Sequence, residues 1–157
     1  MKRLSGALVL VFSFLVGVSV CNADADKDIT KLQDFEHNPT PSLLDRPLPV
    51  VEIRKAIIKA ARTRRWEVLN ETDRQVQLQF YDRHKDRQVA IDIGYDDKDY
   101  SIKYVNSTGF GYREENGQRM IDVTYLSWVK KLIFAIDKEI NQASKQPAEP
   151  KAAEPAK

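Results

Sequence analysis

The chain has 157 residues, of which 25 are basic and 23 acidic, a balance too even to mark a nucleic-acid-binding surface. A single cysteine excludes an intramolecular disulfide, so stability has to come from packing. With two histidines there is no zinc-ligand spacing, and neither a glycine-rich phosphate cradle nor a Gly-x-Ser-x-Gly elbow occurs.

The N-terminus reads as an export signal spanning residues 1–23. Lys2 and Arg3 precede a stretch from Leu4 to Val20 that is apolar apart from serines and glycines, and small residues and acids follow. Cleavage falls at Cys21-Asn22-Ala23 or Ala23-Asp24-Ala25. Alternatively, Val18-Ser19-Val20-Cys21 acts as a lipobox, and Cys21 becomes the acylated N-terminus and the sole attachment to a membrane. An uncleaved spanning helix would want about 20 clean apolar residues, more than this segment supplies. Lys2 and Arg3 leave with the signal, so the mature chain carries 23 basic and 23 acidic residues. Both cleaved readings place it in the periplasm or elsewhere in the envelope.

Residues 24–47 lack periodicity and carry Pro39, Pro41 and Pro47, which predicts a flexible arm or tether with at most one helical turn near Ile29 to Phe35. His37 reads there as a lone exposed histidine. The domain proper is expected over residues 48–142. Its first helix runs from Val50 to Arg65, with Pro49 at the entry and Val50, Ile53, Ile57 and Ala60/Ala61 on one stripe. Arg62, Arg64 and Arg65 read as solvated charges that suit the helix C-terminus.

Trp66 and Val68 open a strand. A meander follows, because Val76, Leu78 and Phe80 alternate with glutamines, Val89, Ile91 and Ile93 repeat the period of two, and Tyr100, Ile102 and Tyr104 resume it. Charged turns separate these runs, and one wet face implies antiparallel pairing. Asn106 to Arg119 is a loop in which Phe110 and Tyr112 extend the sheet by a short strand. A second helix, capped by Asp122, carries Tyr125, Val129, Leu132, Ile133, Ile136 and Ile140 on its stripe. Residues 143–157, rich in Pro, Ala, Glu and Lys, are expected to be disordered. The expected fold is α+β: a helix, an antiparallel meander of three to four strands and a helix, both helices on one face of the sheet.

Trp66, Tyr100-Ser101-Ile102-x-Tyr104, Ser107 and Tyr125-x-x-Trp128-Val129 together resemble a family of small, largely uncharacterised bacterial periplasmic proteins and predicted lipoproteins. The resemblance covers Val50 to Ile140 and implies fold and compartment; it supplies no catalytic residues. Arg65 stands where the pattern favours glycine, and Leu126 where it favours asparagine.

His84 between Asp82 and Asp86, and the cluster Asp96, Asp97 and Asp99, are explained by turn composition without catalysis or metal binding. No cofactor is expected. Tyr81, Tyr95, Tyr100, Tyr104, Tyr112, Tyr125 and Trp128 form the one constellation that suits a ligand or contact platform. Tyr100, Tyr104, Tyr125 and Trp128 read better as core, since a domain of about 90 residues has few large side chains to spare. Tyr81 and Phe134 lie off their stripes and suit an exposed contact surface. The expected function is a non-enzymatic interaction or structural module of the bacterial envelope, touching another protein, a glycan or a lipid. The alternative is a small-molecule carrier with an aromatic pocket between sheet and helices.

Overall fold

The computed structural model describes residues 28–40 and 48–145. The expected signal, Cys21, residues 41–47 and the tail beyond 145 lie outside them. In chain order the elements are β1 (Ile29–Lys31), β2 (Phe35–Pro39), α1 (Val50–Thr63), β3 (Glu67–Glu71), β4 (Gln75–Asp82), β5 (Arg87–Tyr95), β6 (Asp99–Thr108), β7 (Arg113–Glu115), β8 (Gln118–Asp122) and α2 (Val123–Lys145). The fold is α+β, with two antiparallel sheets ordered β2-β6-β5-β4-β3 and β1-β8-β7.

The period-two pattern builds the centre of the larger sheet. Val76 lies opposite Ile93, Leu78 opposite Ile91, and Ile93 opposite Ile102, and all of these are fully buried. A register shift between Ala90 and Ile91 leaves Val105 as an extra residue on β6. Such a bulge reverses the alternation beyond it, so Ser107 pairs with Val89 and its hydroxyl meets that of Tyr104 at 2.9 Å. Ile53, Ile57, Ala60 and Ala61 from α1 and Val129, Leu132, Ile136 and Ile140 from α2 close the same core. The helices lie against each other, tied at the surface by Lys59 and Glu139 at 2.7 Å.

Three parts of the architecture differ from the sequence-based expectation. First, the segment expected as a tether contributes two strands: β2 makes the larger sheet five-stranded, and β1 joins β8 and β7 in a second sheet that the sequence did not foreshadow. Pairing β2 with β6 covers an edge that would otherwise expose a row of unsatisfied backbone groups. The Asn38 amide fastens it, donating to the carbonyls of Phe35 and Tyr100 at 3.0 Å each. Leu32, between the two strands, is buried, so this segment belongs to the domain. His37 is exposed but bonded to Asp99 at 3.1 Å, and that carboxylate holds its imidazole above the ordinary value.

Second, Phe110 and Tyr112 lie in no strand. Phe110 is buried in the loop, and the chain turns at Asn116-Gly117, both with positive φ as a two-residue hairpin demands, to pair β7 with β8. Third, α2 continues to Lys145, past the expected start of the disordered tail at 143. Ala143 packs on the core, and the buried Ser144 donates from Oγ to the Asn141 carbonyl at 3.0 Å.

The end of α1 shows why glycine is expected where Arg65 stands. Trp66 N–H donates to the Ala61 carbonyl and Arg65 N–H to that of Arg62, a wrapped C-terminal turn that puts Arg65 at φ 61°. Left-handed backbone costs a side-chain-bearing residue about 1–2 kcal/mol, partly offset by glycine's larger unfolded-state entropy. Arg65→Gly is therefore expected to stabilise the protein by about 0.5–1 kcal/mol, read as a higher denaturant midpoint at unchanged slope. A lower midpoint would show that the arginine side chain contributes more than its backbone costs.

Candidate functional site

The tyrosines do not converge on one platform. Tyr95 and Tyr100 sit at the far end of the meander, each committed to one bond. The Tyr95 hydroxyl donates to the Thr72 carbonyl at 3.0 Å, and the fully buried Tyr100 hydroxyl donates to Asp137 of α2 at 2.7 Å. Burial, and then the Asp137 carboxylate, push the Tyr100 phenol strongly upward. Burial also raises the Asp137 carboxyl, and the bond from Tyr100 only partly counters it. Tyr81 is exposed at the end of β4 and donates to Asp86 at 2.7 Å.

A second group bridges the two sheets. The half-buried Tyr104 stacks on the exposed Tyr112 at 5.1 Å and meets the fully buried Tyr125 edge-on at 5.7 Å. Beside them, Arg119 of β8 donates to Asp34 at 2.6 Å, and Asp34 also accepts the Tyr104 backbone N–H at 2.9 Å. The Tyr125 hydroxyl is buried without a hydrogen-bond partner among the described residues, and burial raises its phenol. An unpaired buried hydroxyl costs about 1–3 kcal/mol. Tyr125→Phe is accordingly expected to raise stability by about 1 kcal/mol in denaturant titration. A loss of stability would mean that the hydroxyl has a partner in solution.

A third group, unforeseen in the sequence, is centred on Arg87. Its side chain is 7% exposed, and its guanidinium donates to Asp122 at 2.9 Å and reaches Asp82 at 3.4 Å. It lies 4.7 Å from the Phe110 ring and 5.3 Å from that of Trp128, within cation–π range. Trp128 packs in turn on Phe80 and Phe110 at 4.5 and 5.2 Å. Asp122 also accepts the Thr124 backbone N–H at 2.7 Å, capping α2 as expected from its position. Burial pushes its carboxyl up, but Thr124 and Arg87 outweigh that, leaving it below the ordinary value. The group joins β5, the 109–111 loop and the start of α2, and each of the three guanidinium nitrogens of Arg87 already meets a carboxylate, Asp82 or Asp122. One local signal pointed to it: an aromatic residue between two glycines, Gly109-Phe110-Gly111, marks a loop bent to seat a ring.

The carboxylates flanking His84 are committed elsewhere, Asp82 to Arg87 and to the His84 backbone N–H, Asp86 to Tyr81. In the acidic turn, Asp96 accepts the backbone N–H groups of Lys98 and Asp99, which keeps its carboxyl below the usual range. Ser127 and Lys130 stand one turn apart on α2, the spacing of Ser-Lys hydrolases. Both are exposed, whereas a catalytic lysine is normally desolvated.

Among the described residues, two surfaces stand out. One is the outer face of the larger sheet, where Gln75, Gln77, Gln79 and Tyr81 of β4 lie beside Gln88 and Asp92 of β5, with Lys103 of β6 next to Asp92. All are exposed or half-exposed, and the Gln77 amide donates to Asp92 at 2.9 Å. The other is the outer side of α2, where open hollows of about 430 and 560 Å³ meet at Phe134. Among the described residues, no helix is long and apolar enough to cross a membrane. No protein-family model matches the chain, and no curated protein matches it.

Proposed function

We propose that this protein is an exported, non-enzymatic module of the bacterial envelope, acting by contact through the open face of its five-stranded sheet. The observation that carries the reading is the glutamine ladder of β4 and β5, exposed or half-exposed opposite the Val76, Leu78, Ile91 and Ile93 side chains that share the core with residues of α1 and α2. Neutral amides offer donors and acceptors without a net field, which suits a polar neutral partner such as a glycan or an extended peptide. Export rests on the leader in residues 1–23, and Cys21, if acylated, would tether the domain to the membrane. The resemblance of the Trp66, Tyr100–Tyr104 and Tyr125–Val129 pattern to small envelope proteins points the same way. The full burial of Tyr100 and Tyr125 favours a contact module over a carrier, since neither ring is available to line a pocket.

Photocrosslinking amino acids at Gln79 and Gln88, with Lys55 on the exposed side of α1 as control, test this in intact envelopes. Discrete adducts from the two sheet positions alone are expected. Adducts absent from the sheet, or identical from the control, would refute the proposal.

A further inference from the structure

We propose that the outer side of α2 is a docking surface for anionic lipid headgroups, with Phe134 as the wedge that enters the interface. Phe134 is 66% exposed, the most exposed large apolar side chain among the described residues. Lys130 and Lys131 stand one turn before it and Lys138 one turn after, so all three surround it on one side of the helix. The fold adds a fourth cation that sequence spacing does not bring near. Arg64, just beyond the end of α1, lines the same hollow as Lys130, Lys131 and Phe134.

The charge lining the two hollows is mostly basic, with Asp137 as the one carboxylate among the residues around them. None of the four cations has an ion pair among the described residues. The acids nearby are engaged elsewhere, Asp137 accepting from Tyr100 and Glu139 pairing with Lys59. A ring of cations about one exposed aromatic is the pattern of interfacial binding, in which basic groups meet anionic headgroups while an apolar side chain enters the acyl boundary.

A protein partner fits less well. Stable protein interfaces centre on several buried anchors, and here a single ring projects between two open hollows. This surface lies on the helix side, away from the glutamine ladder, and stands whether or not that ladder has a partner.

Phe134→Trp in the full chain supplies a local reporter, read as the difference from the unsubstituted protein, whose own tryptophans are Trp66 and Trp128. Vesicles of phosphatidylcholine with phosphatidylglycerol are expected to shift its emission to the blue, and brominated lipid to quench it. Pure phosphatidylcholine should do neither, and raised salt should reverse the shift. Each cation near an anionic surface strengthens binding about fivefold, so K130E/K131E/K138E, which removes three cations and adds three repelling carboxylates, should weaken binding by at least about 100-fold with melting unchanged. An emission unmoved by phosphatidylglycerol, or equal binding by the charge-reversed variant, would overturn the proposal. A shift given only by an acidic protein, with vesicles inert, would overturn it in favour of a protein partner.

Discussion

Arg87→Met is expected to destabilise the protein by about 3–5 kcal/mol, the cost of leaving part-buried carboxylates without their cation. For a domain of this size that lowers Tm by about 10 °C or more. Methionine fills much of the volume, so the loss reports the pairing and the ring contacts rather than a cavity. Arg87→Lys should recover only part of it, because an ammonium lacks the planar fork that spans Asp82 and Asp122 and stacks on Phe110.

The pH dependence separates these contributions. Asp122 is held below its ordinary pKa in the folded state, so its pairing stabilises the protein above the usual aspartate range. That stability is lost as pH falls through the folded value. The gap between wild type and Arg87→Met should be widest near neutrality and narrow in acid. A gap independent of pH would assign the loss to packing, and one below about 1 kcal/mol would remove Arg87 as the joint between β5 and α2.

Gly109→Ala carries the second-largest expected effect, about 2–5 kcal/mol. Gly109 has φ +76°, and a Cβ there would lie 2.7 Å from Arg87 Cβ and 3.3 Å from Arg87 Cα. Those atoms are the root of the side chain and the backbone itself, so neither can swing away. The collision adds about 1–3 kcal/mol of overpacking to about 1–2 kcal/mol of left-handed strain. Gly117→Ala is the control, for its φ is +73° and nothing lies within 4 Å of the added atom. It should show the strain alone. Equal losses at the two positions would mean that the chain around Arg87 yields more readily than its packing implies.

Together these variants bear on what the aromatic residues are for. Trp128, Phe80 and Phe110 are occupied around Arg87, and Tyr100 is occupied by Asp137. Large side chains spent on the interior are unavailable for contact, which is why both proposals rest on surfaces outside this core, one amide-rich and one basic.

Much of this architecture was legible along the chain. Alternation at Val76, Leu78, Val89 and Ile91 located β4 and β5, the stripe from Ile53 to Ala61 located α1, and Asp122 was recognisable as a cap. These features depend on residues two to four positions apart, whose relation the backbone geometry dictates. The arm defeated such reading, because three-residue β1 and bulged β2 are too short to show a period and exist through the edges they cover. The end of α2 was hidden as well, since a polar composition does not reveal that Ser144 is buried.

The sequence by itself determined the class of the fold, the central strands, both helices and the near-even balance of charge. Only the tertiary structure decided that Arg87 meets Asp122 across 35 positions, and that Arg64 joins the lysines around Phe134. Those meetings depend on which strand edges and helix ends come to lie side by side, and chain closure over such distances is set by the packing of the whole core rather than by any local repeat.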